Sequence, residues 1–151
     1  GRLSDRFGTT GLSSLGLAVE GLGLWMISRL DAQADYLSVA VALGVVGLGL
    51  GMFEAPNMSF VMGAISRGQQ GIAGSIANMM RTLGIVFGAT GASMLFDARR
   101  QSYLKQPSLQ DPTNFQAFVP AFQDVFIFAA GVCVVATVLS LFRRQEAANP
   151  E

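Results

Sequence analysis

Long apolar runs alternate with short polar connections along this chain. Four runs are long enough to cross a bilayer as helices, because a hydrocarbon core about 30 Å thick needs about 20 helical residues. They cover residues 12–30, 37–65, 71–96 and 121–142. The last run is the clearest, since residues 125–142 contain no charge and Arg143 and Arg144 follow at once. The pattern predicts four transmembrane helices.

The polar connections set the order of these helices in space. Residues 31–35 (DAQAD) and 66–70 (SRGQQ) are so short that they predict tight antiparallel hairpins. The connection over residues 97–120 is longer and contains three prolines, the last at its end. It predicts a helical extension, DARRQSYLKQ, followed by an irregular loop. The polar ends of the chain are residues 1–11 and 143–151.

The composition agrees with a membrane protein. Hydrophobic residues make up 51% of the chain and charged residues 13%, against about 25% charged in ordinary soluble domains. A soluble helical bundle would need charged faces along each segment, and residues 125–142 have none. Ten basic and ten acidic residues cancel without a basic stripe, which argues against nucleic acid as a partner.

The residue types for most kinds of catalysis are missing from the sequence. There is no histidine and a single cysteine, Cys133. An internal disulfide is therefore impossible, and a zinc or haem site is not expected. No nucleophile, base and orienting group recur together, and no phosphate-binding loop is present, so we expect neither an enzyme nor a bound cofactor.

Three ionisable residues inside the apolar runs are the candidates for function: Glu20, Glu54 and Arg81. A charge near the bilayer centre costs about 2.5–3.5 kcal/mol even on the lenient insertion scale. Glu20 has two interpretations. It is either a structural carboxyl group, protonated or hydrogen-bonded within the bundle, or a group that takes part in proton coupling.

Arg81 lies near mid-depth of the third run. It shares a helical face with Gly84 and Gly88, which predicts that it lies against a neighbouring helix and not against lipid. Asn78 and Thr82 belong to a polar strip beside it. Either Arg81 locks helices together through an acceptor, or it acts in gating or substrate contact, with Asn78 as a further candidate for the pathway.

Glu54 precedes a proline in the second run. Pro56 removes one helical hydrogen bond, which predicts an interruption of the helix over residues 54–57. Asn57 lies three residues after Glu54 and so points to nearly the same side. We expect both to line a transport pathway, as in transporters with broken helices. The alternative is a kinked helix whose Glu54 reaches the cytoplasmic interface.

Glycines are frequent in two of the runs. Small residues let helix backbones approach closely where lipid provides no hydrophobic drive for association. Five glycines at helical spacing are therefore predicted to pack helices together. They are Gly47, Gly51, Gly84, Gly88 and Gly91.

The first eight residues, GRLSDRFG, resemble the loop signature of the major facilitator superfamily. Gly1, Leu3, Asp5, Arg6 and Gly8 occupy the places of its glycines, hydrophobic residue, acid and base. In that superfamily the signature forms the cytoplasmic turn between the second and third helices of each six-helix half.

Two later stretches narrow the resemblance. Residues 47–57 and 71–91 are similar to the last helices of the fourteen-helix drug:proton antiporters. The resemblance implies an all-α integral membrane protein whose four helices form part of the C-terminal half of a major facilitator fold. It also implies that residues 1–11, 66–70 and 143–151 are cytoplasmic and that the loop over residues 97–120 is extracytoplasmic.

The function that the resemblance implies is secondary active transport by alternating access. A small lipophilic or cationic compound would leave the cell in exchange for protons, driven by the proton gradient across a plasma or bacterial inner membrane. The start in mid-loop without methionine predicts a piece of a longer chain, whose N-terminal helices would be its partners within the lipid bilayer. The competing interpretation is a self-contained four-span scaffold or oligomeric subunit.

Overall fold

The computed structural model describes residues 2–63, 65–105 and 115–147, and within them the chain forms four long helices. A single turn of 3₁₀ helix over Arg67–Gln69 leads into the third helix. Each helix contains a stretch that is long and apolar enough to cross a membrane. The prediction of an all-α membrane fold with four spans is confirmed. The helices are α1 (Arg2–Ser28), α2 (Tyr36–Gly63), α3 (Gln70–Leu104) and α4 (Phe115–Ala147).

The start of α1 differs from the prediction. Residues 2–11 continue the helix instead of forming a separate turn, because a glycine inside a helix costs only about 1 kcal/mol relative to alanine and does not forbid helix. Of the signature residues, Gly1 lies outside the described residues, and Leu3, Asp5, Arg6 and Gly8 are described only as backbone of α1. Their role in a conformational turn stays a prediction.

The long connection is shorter than predicted. The helical extension beyond residue 96 is confirmed, since α3 runs to Leu104. The placement of Pro120 in a loop is wrong, because α4 begins at Phe115. Pro120 is the sixth residue of α4, so the helix lacks one hydrogen bond within its first two turns and continues past it.

The hairpin between α1 and α2 is fixed by two aspartates. The Asp31 carboxylate accepts a hydrogen bond of 2.9 Å from the backbone N–H of Gln33. Asp35 caps the start of α2 by accepting one of 2.9 Å from the backbone N–H of Ser38. Hydrogen bonds from Ser38 hold the pKa of Asp35 below its ordinary value. The carboxylate therefore stays charged at the positive end of the helix dipole.

The closest helix contact joins α1 to α2. A Cβ at Gly16 would lie 2.6 Å from the Phe53 backbone nitrogen, and one at Gly23 would lie 2.6 Å from the Val46 nitrogen. A Cβ at Gly49 would overlap the backbone nitrogen of Glu20. Glycine is required at these positions because backbone, not a movable side chain, occupies the space.

α4 packs on the other side of α1. A Cβ at Gly21 would lie 3.1 Å from the Cys133 Cβ, so Cys133 is a small packing residue at this contact. The hydroxyl groups of Ser14 and Ser140 are 2.7 Å apart and hydrogen-bonded. α3 contacts mainly α4 and has little contact with α2.

The predicted packing glycines are not the ones that these four helices use. Within the described part of the chain, no atom of another helix lies within 4 Å of a Cβ built at any of the five. The spacing of glycines marks an open helix face, but it does not say which helix covers it. These five are Gly47, Gly51, Gly84, Gly88 and Gly91.

Cysteine labelling checks the predicted topology. Gln33 and Gln69 are exposed in the connections at opposite ends of α2, whose 28 residues span about 42 Å. In a background without other cysteines, including Cys133→Ala, we expect a membrane-impermeant maleimide to label Gln69→Cys from the cytoplasmic side and Gln33→Cys from the opposite side. Labelling of both from one side would contradict the four-span topology.

Candidate functional site

An ion pair inside the membrane connects α2 to α3. Arg81 Nη1 pairs with Glu54 Oε1. Glu54 lies nine residues before the end of α2, and Arg81 lies eleven residues after the start of α3. At 1.5 Å per residue these positions are about 14 Å and about 17 Å from the shared connection. Both charges therefore lie near the middle of a core about 30 Å thick.

The pair is only partly covered by the four helices. The Arg81 side chain is 54% exposed and the Glu54 side chain 38% exposed. Pairing compensates two charges that would each be costly alone in the apolar span. The uncovered side of the pair faces away from the bundle formed by the described residues, and other helices, a cavity or lipid would meet it there.

Asn57 and Asn78 lie one helical turn from the pair. Asn57 follows Glu54 by three residues, and Asn78 precedes Arg81 by three, so each amide lies on the same helix side as its charged neighbour. Both side chains are exposed. The hydroxyl group of Thr82 donates a hydrogen bond of 2.9 Å to the Asn78 carbonyl. It is thus satisfied within its own helix, whereas neither amide side chain has a hydrogen-bond partner among the residues that the structure describes.

The predicted interruption of α2 is wrong. The helix is continuous from Tyr36 to Gly63 and contains Pro56. Pro56 is buried, and Gly16 of α1 packs directly on the α2 backbone at Met52 and Phe53, one turn earlier. Close packing by a neighbouring helix holds α2 in shape although one hydrogen bond is lost, as membrane helices with proline allow.

Glu20 lies apart from the ion pair. Its backbone packs against Gly49 at the crossing of α1 and α2, and its side chain is half-buried. Among the described residues it has no ion-pair or hydrogen-bond partner. The structure therefore brings Glu54, Arg81, Asn57 and Asn78 into one region and leaves Glu20 outside it.

A second polar cluster joins the far end of α3 to α4. The Tyr103 hydroxyl donates a hydrogen bond of 2.9 Å to Asp124 Oδ2, and Arg99 Nε lies 3.6 Å from the same oxygen. The rings of Phe96 and Phe118 meet edge to face at 5.1 Å. Asp124 is not among the functional residues that the sequence pattern predicts. One feature of the sequence does point to it. Asp124 is the single acid near the start of the fourth apolar run, and the extension that follows the third run is basic.

Four bilayer-length helices with a charge pair inside them define a multi-pass membrane protein. The family model described as Major Facilitator Superfamily matches residues 1–151. The chain therefore belongs to the major facilitator superfamily of transporters.

Individual relatives agree with this family. The chain is similar to the riboflavin transporter RibZ of Clostridioides difficile, with 28% identity over 142 residues covering 94% of the chain and 30% of the relative. It is 26% identical over 180 residues to a triacylglyceride transporter of Mycolicibacterium hassiacum, covering 97% of the chain and 34% of the relative. It is 22% identical over 146 residues to the lincomycin resistance protein LmrB of Listeria monocytogenes, and this match covers 96% of the chain and 31% of the relative. The chain thus spans about a third of the length of these curated relatives.

Proposed function

We propose that this chain is the C-terminal part of a secondary transporter that exports a small lipophilic or cationic compound in exchange for protons. The ion pair between Glu54 and Arg81 carries the proposal, because it is a charged contact at mid-depth between two helices. Ionisable residues at that depth mark ion and substrate pathways. The similarity to a lincomycin resistance protein supports export of a small molecule.

Protonation of Glu54 supplies the coupling step. A neutral carboxyl group does not balance the Arg81 guanidinium, so one proton weakens the attraction between α2 and α3. Because α3 has little other contact with α2, the position of α3 responds to that change. Release of the proton on the other side of the membrane restores the pair. This gives one state in which the pair is closed and one in which it is open, as alternating access requires.

The remaining parts of the transporter lie outside these four helices. In this proposal the N-terminal helices of the same polypeptide complete the cavity in a plasma or bacterial inner membrane, and the proton gradient is the energy source. Asn57 and Asn78 contact the transported compound. A self-contained scaffold is the alternative, and relatives of which the chain spans 30–34% favour the transporter.

Glu54→Gln in the complete transporter tests the coupling. Glutamine keeps the shape of the side chain and cannot take up a proton at physiological pH. In proteoliposomes we expect transport of a fluorescent lipophilic cation, ethidium, driven by a pH gradient to fall to the level of empty vesicles. Ethidium binding, measured by fluorescence anisotropy, should stay within about threefold of the parent protein, a difference of less than 1 kcal/mol.

Glu20→Gln is the matched control, since it removes a second intramembrane carboxyl group that lies away from the pair. We expect it to retain transport driven by the pH gradient. Full proton-driven transport by Glu54→Gln would remove Glu54 from the coupling mechanism. Loss of transport in Glu20→Gln alone would assign coupling to α1 instead.

A further inference from the structure

An apolar groove runs between α1 and α4 on the outside of the bundle. Its volume is about 470 Å³. Leu17, Gly21 and Trp25 line it on α1, and Ile127, Gly131 and Val138 line it on α4. The hydroxyl group of Thr137, also in the lining, donates a hydrogen bond of 2.8 Å to the Cys133 carbonyl. The groove therefore offers no free polar group along its length and suits a hydrocarbon chain.

The length of the groove matches one leaflet of a bilayer. Its lining extends from Leu17 to Trp25 on α1 and from Ile127 to Val138 on α4. At 1.5 Å per residue these stretches measure about 12 Å and about 17 Å, and half of a hydrocarbon core is about 15 Å. The groove starts near the end of α1, where a lipid headgroup would lie. A single acyl chain of one leaflet would follow its whole length.

One charged group, the Arg29 guanidinium, stands at the headgroup end of the groove. The Arg29 guanidinium lies 5.5 Å from the centre of the Trp25 ring, within the range of a cation–π contact. Arg29 has no acidic partner among the residues that the structure describes. The amide of Gln123 donates a hydrogen bond of 2.9 Å to the Leu30 carbonyl and so holds α4 to α1 at this end.

The same connection carries two acids, Asp31 and Asp35, beside the one base Arg29. A purely anionic headgroup would meet more negative than positive charge there. The Asp35 carboxylate is engaged as a helix cap, while Asp31 is exposed and uses one oxygen for the Gln33 N–H. Arg29 with Asp31 is complementary to a headgroup that has a phosphate and a primary ammonium group.

We propose that the groove between α1 and α4 binds one phosphatidylethanolamine-type lipid. One acyl chain lies against Gly21 and Gly131, the phosphate accepts hydrogen bonds from Arg29, and the ammonium group donates to Asp31. The binding energy comes from close packing along the groove and from the two charged contacts, since lipid tails provide no hydrophobic drive of their own.

Photocrosslinking in the complete transporter tests this site. The protein is placed in nanodiscs of phosphatidylcholine with a minor fraction of phosphatidylethanolamine that carries a diazirine on one acyl chain. After illumination and proteolysis, we expect mass spectrometry to find the label on residues 17–25 and 127–138. Phosphatidylglycerol with the same acyl diazirine should label these peptides less.

Three variants separate the parts of the proposal. Gly131→Leu places an apolar side chain in the groove, where nothing lies within 4 Å of a Cβ, and we expect labelling to fall to background. Arg29→Gln should lower it about fivefold, the factor that corresponds to the loss of one hydrogen bond of about 1 kcal/mol. Asp31→Asn should abolish the preference for phosphatidylethanolamine over phosphatidylglycerol.

Val132→Leu is the matched control, since Val132 is exposed on α4 and is not part of the groove lining. It should label like the parent protein. Equal labelling in Gly131→Leu and Val132→Leu would overturn the groove as the binding site. Equal labelling by the two lipids in the parent protein would overturn the headgroup assignment. Label on neither stretch, with a protein–protein crosslink at Gly131→Cys instead, would show that a helix or a second copy occupies the groove.

Discussion

Arg81→Ala is expected to lower the stability and the transport rate of the complete transporter far more than Arg99→Ala. The substitution leaves Glu54 without its partner near the middle of the bilayer. An uncompensated charge at that depth costs about 2.5–3.5 kcal/mol, so we expect a loss of ~2.5 kcal/mol in the free energy of unfolding. Arg99 belongs to the α3 extension near its end and lies 3.6 Å from Asp124, and an ion pair of this kind at a surface contributes about 1 kcal/mol or less. Thermal unfolding in detergent and ethidium transport measure both effects.

A double variant separates stability from coupling. Glu54→Gln with Arg81→Gln removes both charges and keeps two side chains that can hydrogen-bond. We expect it to recover most of the stability lost in Arg81→Ala, while transport driven by a pH gradient stays absent. Equal and negligible effects of Arg81→Ala and Arg99→Ala would show that the ion pair contributes neither to the fold nor to transport.

Gly49→Val is expected to have the largest effect on folding. A Cβ at Gly49 would overlap the backbone nitrogen of Glu20, and Glu20 Cα would also lie too close, at 2.6 Å. A rotamer change cannot relieve this clash, so α1 and α2 must move apart. Overpacking costs about 1–3 kcal/mol where side chains adjust, and we expect about 3 kcal/mol or more here. The yield of monodisperse protein in size-exclusion chromatography measures the loss.

Gly44→Val is the matched control for this variant. It makes the same change in the same helix, at a position where nothing lies within 4 Å of a Cβ. The difference in helix propensity between glycine and valine is then equal for both variants. A yield for Gly49→Val as high as that for Gly44→Val would contradict the close crossing of α1 and α2.

Local properties of the sequence are sufficient to predict the helices. Length and hydropathy decide whether a segment spans a bilayer, and both are properties of the segment itself. For that reason the four spans and the extension of α3 to Leu104 were predictable. The predictions that Pro56 interrupts α2 and that Pro120 lies in a loop are wrong, because a proline in a helix has a finite cost. Close packing of α1 on the preceding turn of α2 offsets this cost at Pro56, and at Pro120 the cost is one hydrogen bond in a helix of 33 residues.

Contacts between helices were harder to predict. Spacing shows which glycines share a face, but the register between two helices decides which face is covered. Gly16 and Gly23 are seven residues apart on one face of α1, and only the antiparallel register with α2 brings them onto its backbone. The ion pair could in principle be predicted from the sequence, because Glu54 and Arg81 lie at nearly equal distances from the same short connection. The sequence pattern points to each residue separately. To predict that they pair, one must also know how α2 and α3 are arranged in the hairpin.

The sparse contacts of α3 have a consequence for its entry into the membrane during synthesis. α3 is less hydrophobic than α2, and none of its most hydrophobic stretch is buried within the described bundle. Arg81 raises its insertion free energy by about 2.5–3.5 kcal/mol on the translocon scale. α2 leaves the ribosome first and carries Glu54, the partner of that charge. α2 and α3 are therefore expected to integrate as a pair, with the nascent α2 held at the translocon until α3 arrives.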